Sequence, residues 1–206
     1  MNIILIGPPA CGKGTQAKFL CDKFGFFHLS TGDLFREISS QNSPLANEIK
    51  SLIDNGKFVP DELTIKLVEN KLSEIDSQKG ILFDGFPRTI KQAEMLEKSV
   101  KIDFVIEIKL SEDSMVKRVL DRAVCSKCGK SFLLSQTKTK TCDVCGENIV
   151  QRKDDTAEIA KERYQDYIKK TYPIVDFFKM HKGYRIIDGE KSMAEVFDDI
   201  CKVIKK

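Results

Sequence analysis

The nine residues Gly7-Pro8-Pro9-Ala10-Cys11-Gly12-Lys13-Gly14-Thr15 constrain this chain more than any other stretch. They follow a short apolar run, Asn2–Ile6, and precede a helical pattern carried by Gln16, Ala17, Phe19 and Leu20. A glycine-rich turn between a buried strand and a helix start is the setting of a phosphate-cradling P-loop. Glycines let backbone N–H groups converge on phosphate oxygens, the helix N-terminus adds positive potential, and Lys13 supplies a full charge. The bland alternative is a strand–helix turn with no ligand, and the strand before it weakens that reading. Gly14 stands where Ser or Thr commonly follows the lysine, with Thr15 one step later. A Mg²⁺ ion at such a loop therefore leans more on phosphate oxygens and water than on a hydroxyl.

Beyond the loop, short apolar runs alternate with amphipathic helical patterns, which predicts an α/β fold with a largely parallel sheet flanked by helices. The expected strands are Asn2–Ile6, Phe26–Leu29, Ile81–Asp84, Phe104–Ile108 and Tyr184–Ile187. Each is apolar enough to be buried on both faces. Ser43-Pro44 reads as an N-cap with proline in the first turn, opening a helix that ends near Asn55-Gly56. Asp61 reads as the cap of the next helix, with Leu63, Leu67, Val68 and Leu72 inward. The last helix carries a stripe of Met193, Val196, Phe197, Ile200, Val203 and Ile204. At 206 residues, with 41% hydrophobic and 32% charged residues, the chain has material for one core with insertions. Thirty-four basic against 31 acidic residues leave a net charge of +3, which argues against a polyanion-coating protein. The opening apolar run stops at Gly7, too short for a signal core, and no run reaches the ~20 residues of a membrane helix. A cytoplasmic protein without membrane or nucleic-acid partners is the expectation.

From Ala123 to about Asp155 the apolar periodicity gives way to cysteine, lysine, threonine and glycine. Such a segment needs a source of order other than a core. It holds Cys125-x-x-Cys128 and Cys142-x-x-Cys145, with Gly129 and Gly146 directly after the knuckles. Four soft ligands closing a tetrahedral shell point to a structural Zn²⁺, with an iron centre of the same geometry, reversible disulfides or an empty set of thiols as competing readings. Cys11, Cys21 and Cys201 stand alone; Cys11, inside the phosphate loop, reads as an inert small residue. His28 and His181 are too few for a histidine relay.

Ile81-Leu82-Phe83-Asp84 ends a buried-strand run in a carboxylate, as a Walker-B strand does, and beside a phosphate loop Asp84 is a candidate to hold Mg²⁺ through water. Gly85-Phe86-Pro87-Arg88 follows at once, and Leu29-Ser30-Thr31-Gly32-Asp33-Leu34-Phe35-Arg36 precedes. With Gly12-Lys13-Gly14-Thr15 and the later Arg152-Lys153-Asp154-Asp155, these motifs stand in the order found in adenylate kinases. Over essentially its whole length the sequence resembles that family, in the form with a long, cysteine-bearing lid. The resemblance implies a core of residues 1–29, 60–121 and 156–206, an AMP-binding insertion at 30–59, and a lid at 122–155. It further implies ATP contacts at Ala10, Cys11, Gly12, Lys13, Gly14, Thr15, Arg122, Ser131, Phe132 and Lys191. By the same resemblance AMP meets Thr31, Arg36, Lys57, Phe58, Val59, Gly85, Phe86, Pro87, Arg88, Gln92, Arg152 and Arg163. Lys13, Arg88, Arg118, Arg152 and Arg163 then carry catalysis.

The implied reaction moves a phosphoryl group from MgATP to AMP, giving two ADP in one chain that suffices as a monomer. The AMP phosphate is already ionised near neutral pH, so placement, charge neutralisation and water exclusion are needed rather than a base. Arginine's fixed donor fork suits phosphate. On the residues alone, Arg118 and Arg122, one turn apart on a predicted helix beside Asp121, also read as a solvated face, and Arg163 beside Glu162 and Asp166 as an ordinary helix pair. Two other functions compete: a kinase for UMP, CMP or GMP, and a zinc-bearing binding module using Lys127, Lys130, Lys138 and Lys140.

Overall fold

The computed structural model describes residues 1–75, 79–137, 139–152 and 154–205; Lys138 and Lys153, both noted from the sequence, lie outside the described residues. The chain runs β1 (Ile3–Ile6), α1 (Lys13–Phe24), β2 (Phe27–Ser30), α2 (Thr31–Ser39), α3 (Pro44–Asp54), α4 (Asp61–Glu74), β3 (Ile81–Asp84), α5 (Ile90–Ser99), β4 (Phe104–Lys109) and α6 (Glu112–Leu120). It continues through β5 (Arg122–Cys125), β6 (Ser131–Leu133), β7 (Ile149–Val150), α7 (Ala157–Asp166), a π-helical turn (Tyr167–Thr171), α8 (Pro173–Phe178), β8 (Tyr184–Asp188) and α9 (Met193–Ile204).

The runs expected to be strands form one parallel sheet in the order β2-β3-β1-β4-β8, within a residue or two of their expected ends. Alternation along β1 decides both layers. Ile3 and Leu5 face Ala17, Leu20, Met115, Val119, Val196 and Ile200, from α1, α6 and α9. Ile4 and Ile6 face Val68, Ala93, Leu96, Ile174 and Phe178, from α4, α5 and α8. Glu107 interrupts the apolar run of β4 and is buried; the Tyr184 hydroxyl on neighbouring β8 donates to it, which satisfies a carboxylate that burial otherwise penalises. Because β1 is central and its neighbours β3 and β4 come later in the chain, the strand order reverses there, and ligands of open α/β sheets bind at such a point, outside the carboxyl ends of the strands.

Two smaller units leave this frame. In α2 and α3, with the segment that follows, Phe35, Ile49 and Val59 make a separate apolar cluster with Leu52, Leu63 and Leu67. Ser43 caps α3 by accepting from the Ala46 N–H, and Gly56 turns the chain at φ 68° just past its end. The cysteine-rich stretch, which shows no strand pattern in sequence, forms a three-stranded antiparallel sheet, β6-β5-β7.

Three local expectations are corrected. Asp61 is the first residue of α4 rather than its cap; Pro60 precedes the helix, and the carboxylate is used elsewhere. Arg122 is not one turn from Arg118 on a helix, because α6 ends at Leu120 and Arg122 opens β5. Met193 does not join the buried stripe of α9: it begins the helix half-exposed, while Val196, Ile200 and Ile204 are buried. Ile200→Ala should therefore reduce unfolding free energy by about 2–5 kcal/mol, and Met193→Ala by no more than about 0.5 kcal/mol. Urea denaturation of the two variants checks this, and equal losses would contradict the orientation of α9.

Candidate active site

The phosphate loop leaves the end of β1 and delivers the chain into α1. A side chain at Gly7 would meet the Ile108 carbonyl oxygen at 2.5 Å and Cys11 Sγ at 2.6 Å, so only glycine lets the loop lie this close to β4. Gly12 (φ 97°) and Ala10 (φ 55°) sit in the left-handed region; at Ala10 a Cβ is tolerated at a strain of about 1 kcal/mol. Helices α2, α3, α5, α6, α7 and α9 are closed by Ser or Thr caps, whereas α1 has glycine at its cap, no side-chain cap bond and no acidic residue in its first turn. Its first N–H groups are thus left facing the loop, the arrangement an anion exploits. Lys13 Nζ curls back to donate to the carbonyls of Gly7 (2.7 Å) and Pro8 (2.8 Å) and lies 3.5 Å from the buried Cys11 thiol.

Asp84 ends β3 beside Leu5 and Ser30 in register. Its Oδ2 lies 3.4 Å from where a Cβ on Gly14 would stand, so the carboxylate faces the first turn of α1. His28 Nε2, which sequence left without a role, is 3.4 Å from the same oxygen. Past Asp84 the Gly85 carbonyl accepts from Thr31 Oγ1 (2.8 Å) and from Arg88 Nε (2.7 Å), tying α2 to the strand end. Gln92 accepts from the Arg88 backbone N–H at 2.7 Å and donates to Asp61, which also accepts from Thr89. Asp61 is thus a positioning group that reading it as a cap missed. Phe86 and Pro87 are buried, and Val59 packs within the apolar cluster of Phe35 and Ile49, so these three shape the region from behind. Lys57 is exposed, and the Phe58 ring lies 5.5 Å from the Arg88 guanidinium carbon.

Arginines from three parts of the chain approach one another here. Burial, with Arg163 and Arg36 nearby, pushes Arg88 down to about 10, although Asp84 opposes the shift. Burial, with Arg122 and Arg36, does the same to Arg152, also to about 10, against Asp154 and Asp155. Both stay charged at neutral pH, in a setting that favours a bound anion. Two members are held by carboxylates of the Arg152 motif: Arg122 makes a two-pronged pair with the fully buried Asp155 side chain, and Arg163 Nη1 donates to Asp154 at 2.7 Å. Arg163 does not pair with Glu162 or Asp166. Arg36 pairs with Asp33. Arg118 stands apart from the group, donating at 2.8 Å to the Gly189 carbonyl, next to the loop that carries Lys191. Lys191 itself pairs with Asp199 at 2.8 Å.

In the small three-stranded sheet, Ser131 is exposed and Phe132 half-buried on β6, with Lys130 Nζ 5.3 Å from the Phe132 ring centre. The sulfurs of Cys125, Cys128, Cys142 and Cys145 all lie within 4.8 Å of one another. A tetrahedral ion with ~2.3 Å bonds to sulfur sets neighbouring sulfurs about 3.8 Å apart, so the cluster fits such an ion. The two knuckles repeat one geometry, with Gly129 and Gly146 at φ 67° and 73° donating to the carbonyls of Cys125 and Cys142. The Cys128 backbone N–H donates to Cys125 Sγ at 3.4 Å and pulls that thiol down, favouring a thiolate there, while its hydrogen bond to Cys125 pushes the Cys145 thiol up.

A family model described as adenylate kinase matches residues 5–183. Among curated proteins, the chain is 43% identical to an adenylate kinase of Clostridium perfringens (strain SM101 / Type A), covering 99% of this chain and 98% of that protein. It is 45% identical to one of Clostridium tetani (strain Massachusetts / E88) over 99% and 98% of the two chains. One from Clostridium botulinum (strain Eklund 17B / Type B) is 43% identical over 99% of each.

The Arg122–Asp155 pair is the most enclosed ion pair of the region, with side-chain exposures of 17% and 0%. Asp155→Ala, which strands Arg122, should lower stability by about 3 kcal/mol in urea unfolding. Asp155→Asn, which keeps an acceptor, should lose less; an unchanged Asp155→Ala midpoint would show that the pair contributes nothing.

Proposed function

We propose a division of labour for this chain, which belongs to the adenylate kinase family and transfers a phosphoryl group reversibly between ATP and AMP, giving two ADP. The donor phosphates lie in the loop Ala10–Thr15, against the uncapped start of α1, where Lys13 exchanges its two backbone carbonyls for phosphate oxygens. The acceptor phosphate is gripped by Arg36 and Arg88, with Thr31, Gly85 and Gln92 shaping the pocket and Lys57, Phe58 and Val59 closing it from the insertion. Arg122, Arg152 and Arg163 meet the group in transit, and Arg118 reaches it on closure of the lid. Ser131 and Phe132 cover the ATP base, with the Lys191 loop beneath it.

What supports this reading is that Arg163 and Arg36 lie near enough to Arg88, and Arg122 and Arg36 near enough to Arg152, for their charges to be felt there. A phosphoryl group passing between two polyanions needs positive charge already in place where charge is spread among the transferring oxygens. No side chain is asked to remove a proton. Closure of the lid, established behaviour in this family, keeps water from taking the phosphoryl group. Mg²⁺, the ion this family uses with ATP, neutralises the donor phosphates when bound. Asp84, facing the first turn of α1, would hold the ion there through water. The four-cysteine cluster takes Zn²⁺ as a structural ion, since four thiolates leave no open position for a reacting water. One chain supplies every group, so a monomer in the cytoplasm suffices.

Supplying ADP alone with Mg²⁺ should yield AMP and ATP together, and UDP, CDP or GDP far less of the corresponding pair. Lys13→Ala and Arg88→Ala should each lower kcat at least ~10²-fold with near-UV spectra unchanged; retained turnover would remove their assigned roles. Cys142→Ser should abolish the bound zinc measured by atomic emission and lower melting by roughly 5–10 °C, at about 2–4 °C per kcal/mol for a chain of this size. Full melting temperature without metal would refute a structural ion.

A further inference from the structure

We propose that Lys170 is a positioning residue for the acceptor nucleotide, acting through Phe58, whose ring it and Arg88 hold from the core side. The inference rests on the assignment of AMP to the Arg88–Phe58 pocket and adds a residue to it. Lys170 Nζ lies 5.0 Å from the Phe58 ring centre, and the Arg88 guanidinium carbon lies 5.5 Å from the same centre. Two cations thus share one ring, an attractive arrangement for each with the π face. Phe58 belongs to the segment that follows α3, whereas both cations belong to the frame around the main sheet. Contact with the ring therefore ties the insertion to that frame.

The surroundings support a seam with defined anchor points. A cavity of about 660 Å³ separates Leu52, Lys57 and Phe58 on one wall from Gln165, Asp166 and Lys170 on the other. Beside it the two units touch closely: a Cβ on Gly56 would stand 2.9 Å from Ile159 and 3.6 Å from Arg163. Lys170 is steered by Asp166, one turn earlier, at 3.1 Å. It sits on the π-helical turn Tyr167–Thr171, a deviation frequent where a helix presents a functional side chain. Arg88 touches the acceptor phosphate in the proposed reading, so a ring held against Arg88 also fixes the guanidinium. Lys170 reaches the acceptor only by way of that ring.

The test is steady-state kinetics, with AMP and ATP varied separately, on Lys170→Met, Lys170→Arg, Phe58→Leu and the Lys170→Met/Phe58→Leu double variant. Methionine keeps the length and apolar stem while removing the charge. Lys170→Met should raise KM for AMP roughly 2–5-fold without moving KM for ATP, and Lys170→Arg should restore it. In the Phe58→Leu background the Lys170→Met change should add nothing, as coupled neighbours require. An unchanged KM for AMP, an equal rise for ATP, or a full additional rise without the ring overturns the proposal. Failure of the acceptor assignment reads differently: Arg88→Ala then leaves AMP saturation unchanged, and the Lys170 role falls with it. If Arg88→Ala impairs AMP use while Lys170→Met does not, only the Lys170 role is lost.

Discussion

Guanidinium groups drawn out of water and set near one another are the constraint around which the site is arranged. Arg88 and Arg152 both hold their protons less tightly than a free arginine, because water is scarce and other arginines are near. The chain meets the problem with carboxylates from one short motif, Asp154 and Asp155, which steady Arg163 and Arg122 without neutralising the whole group. What remains is a positive field that two nucleotides' phosphates can satisfy. In the proposed mechanism the same repulsion links substrate binding to closure, since units carrying like charges approach stably only when an anion lies between them.

The frame that delivers those charges was legible because it obeys short-range rules. Strands buried in a sheet leave apolar runs, and each of the five expected runs became a strand, although β8, at the sheet edge, is not buried on both faces and leaves Arg185 and Ile186 exposed. Ser43-Pro44 capped its helix as read, because a cap is a contact between residues three apart. The phosphate loop was legible for a similar reason: a strand, a glycine turn and a helix start are neighbours in sequence.

What was missed depends on partners far apart in the chain. Asp61 looked like a cap because it precedes a helical pattern, yet its carboxylate serves Thr89 and Gln92, about thirty residues on. Arg122 continued a helical spacing from Arg118, but pairing with Leu133 on β6 pulled it into a strand. Arg163 had Glu162 beside it and Asp166 one turn on, and it chose Asp154, which lies before the helix begins. Lys170 carried no signal, since only the folded chain brings it to Phe58.

The cysteine-bearing segment has one further property. Among the described residues, none of the three apolar clusters draws on 122–155, and the small sheet there is gathered around four sulfur atoms instead. A part held together by clustered sulfurs draws little on the greasy interior of its host. In the proposed mechanism it would swing as a stiff flap, and the work of moving it would fall on the few polar ties at its edge.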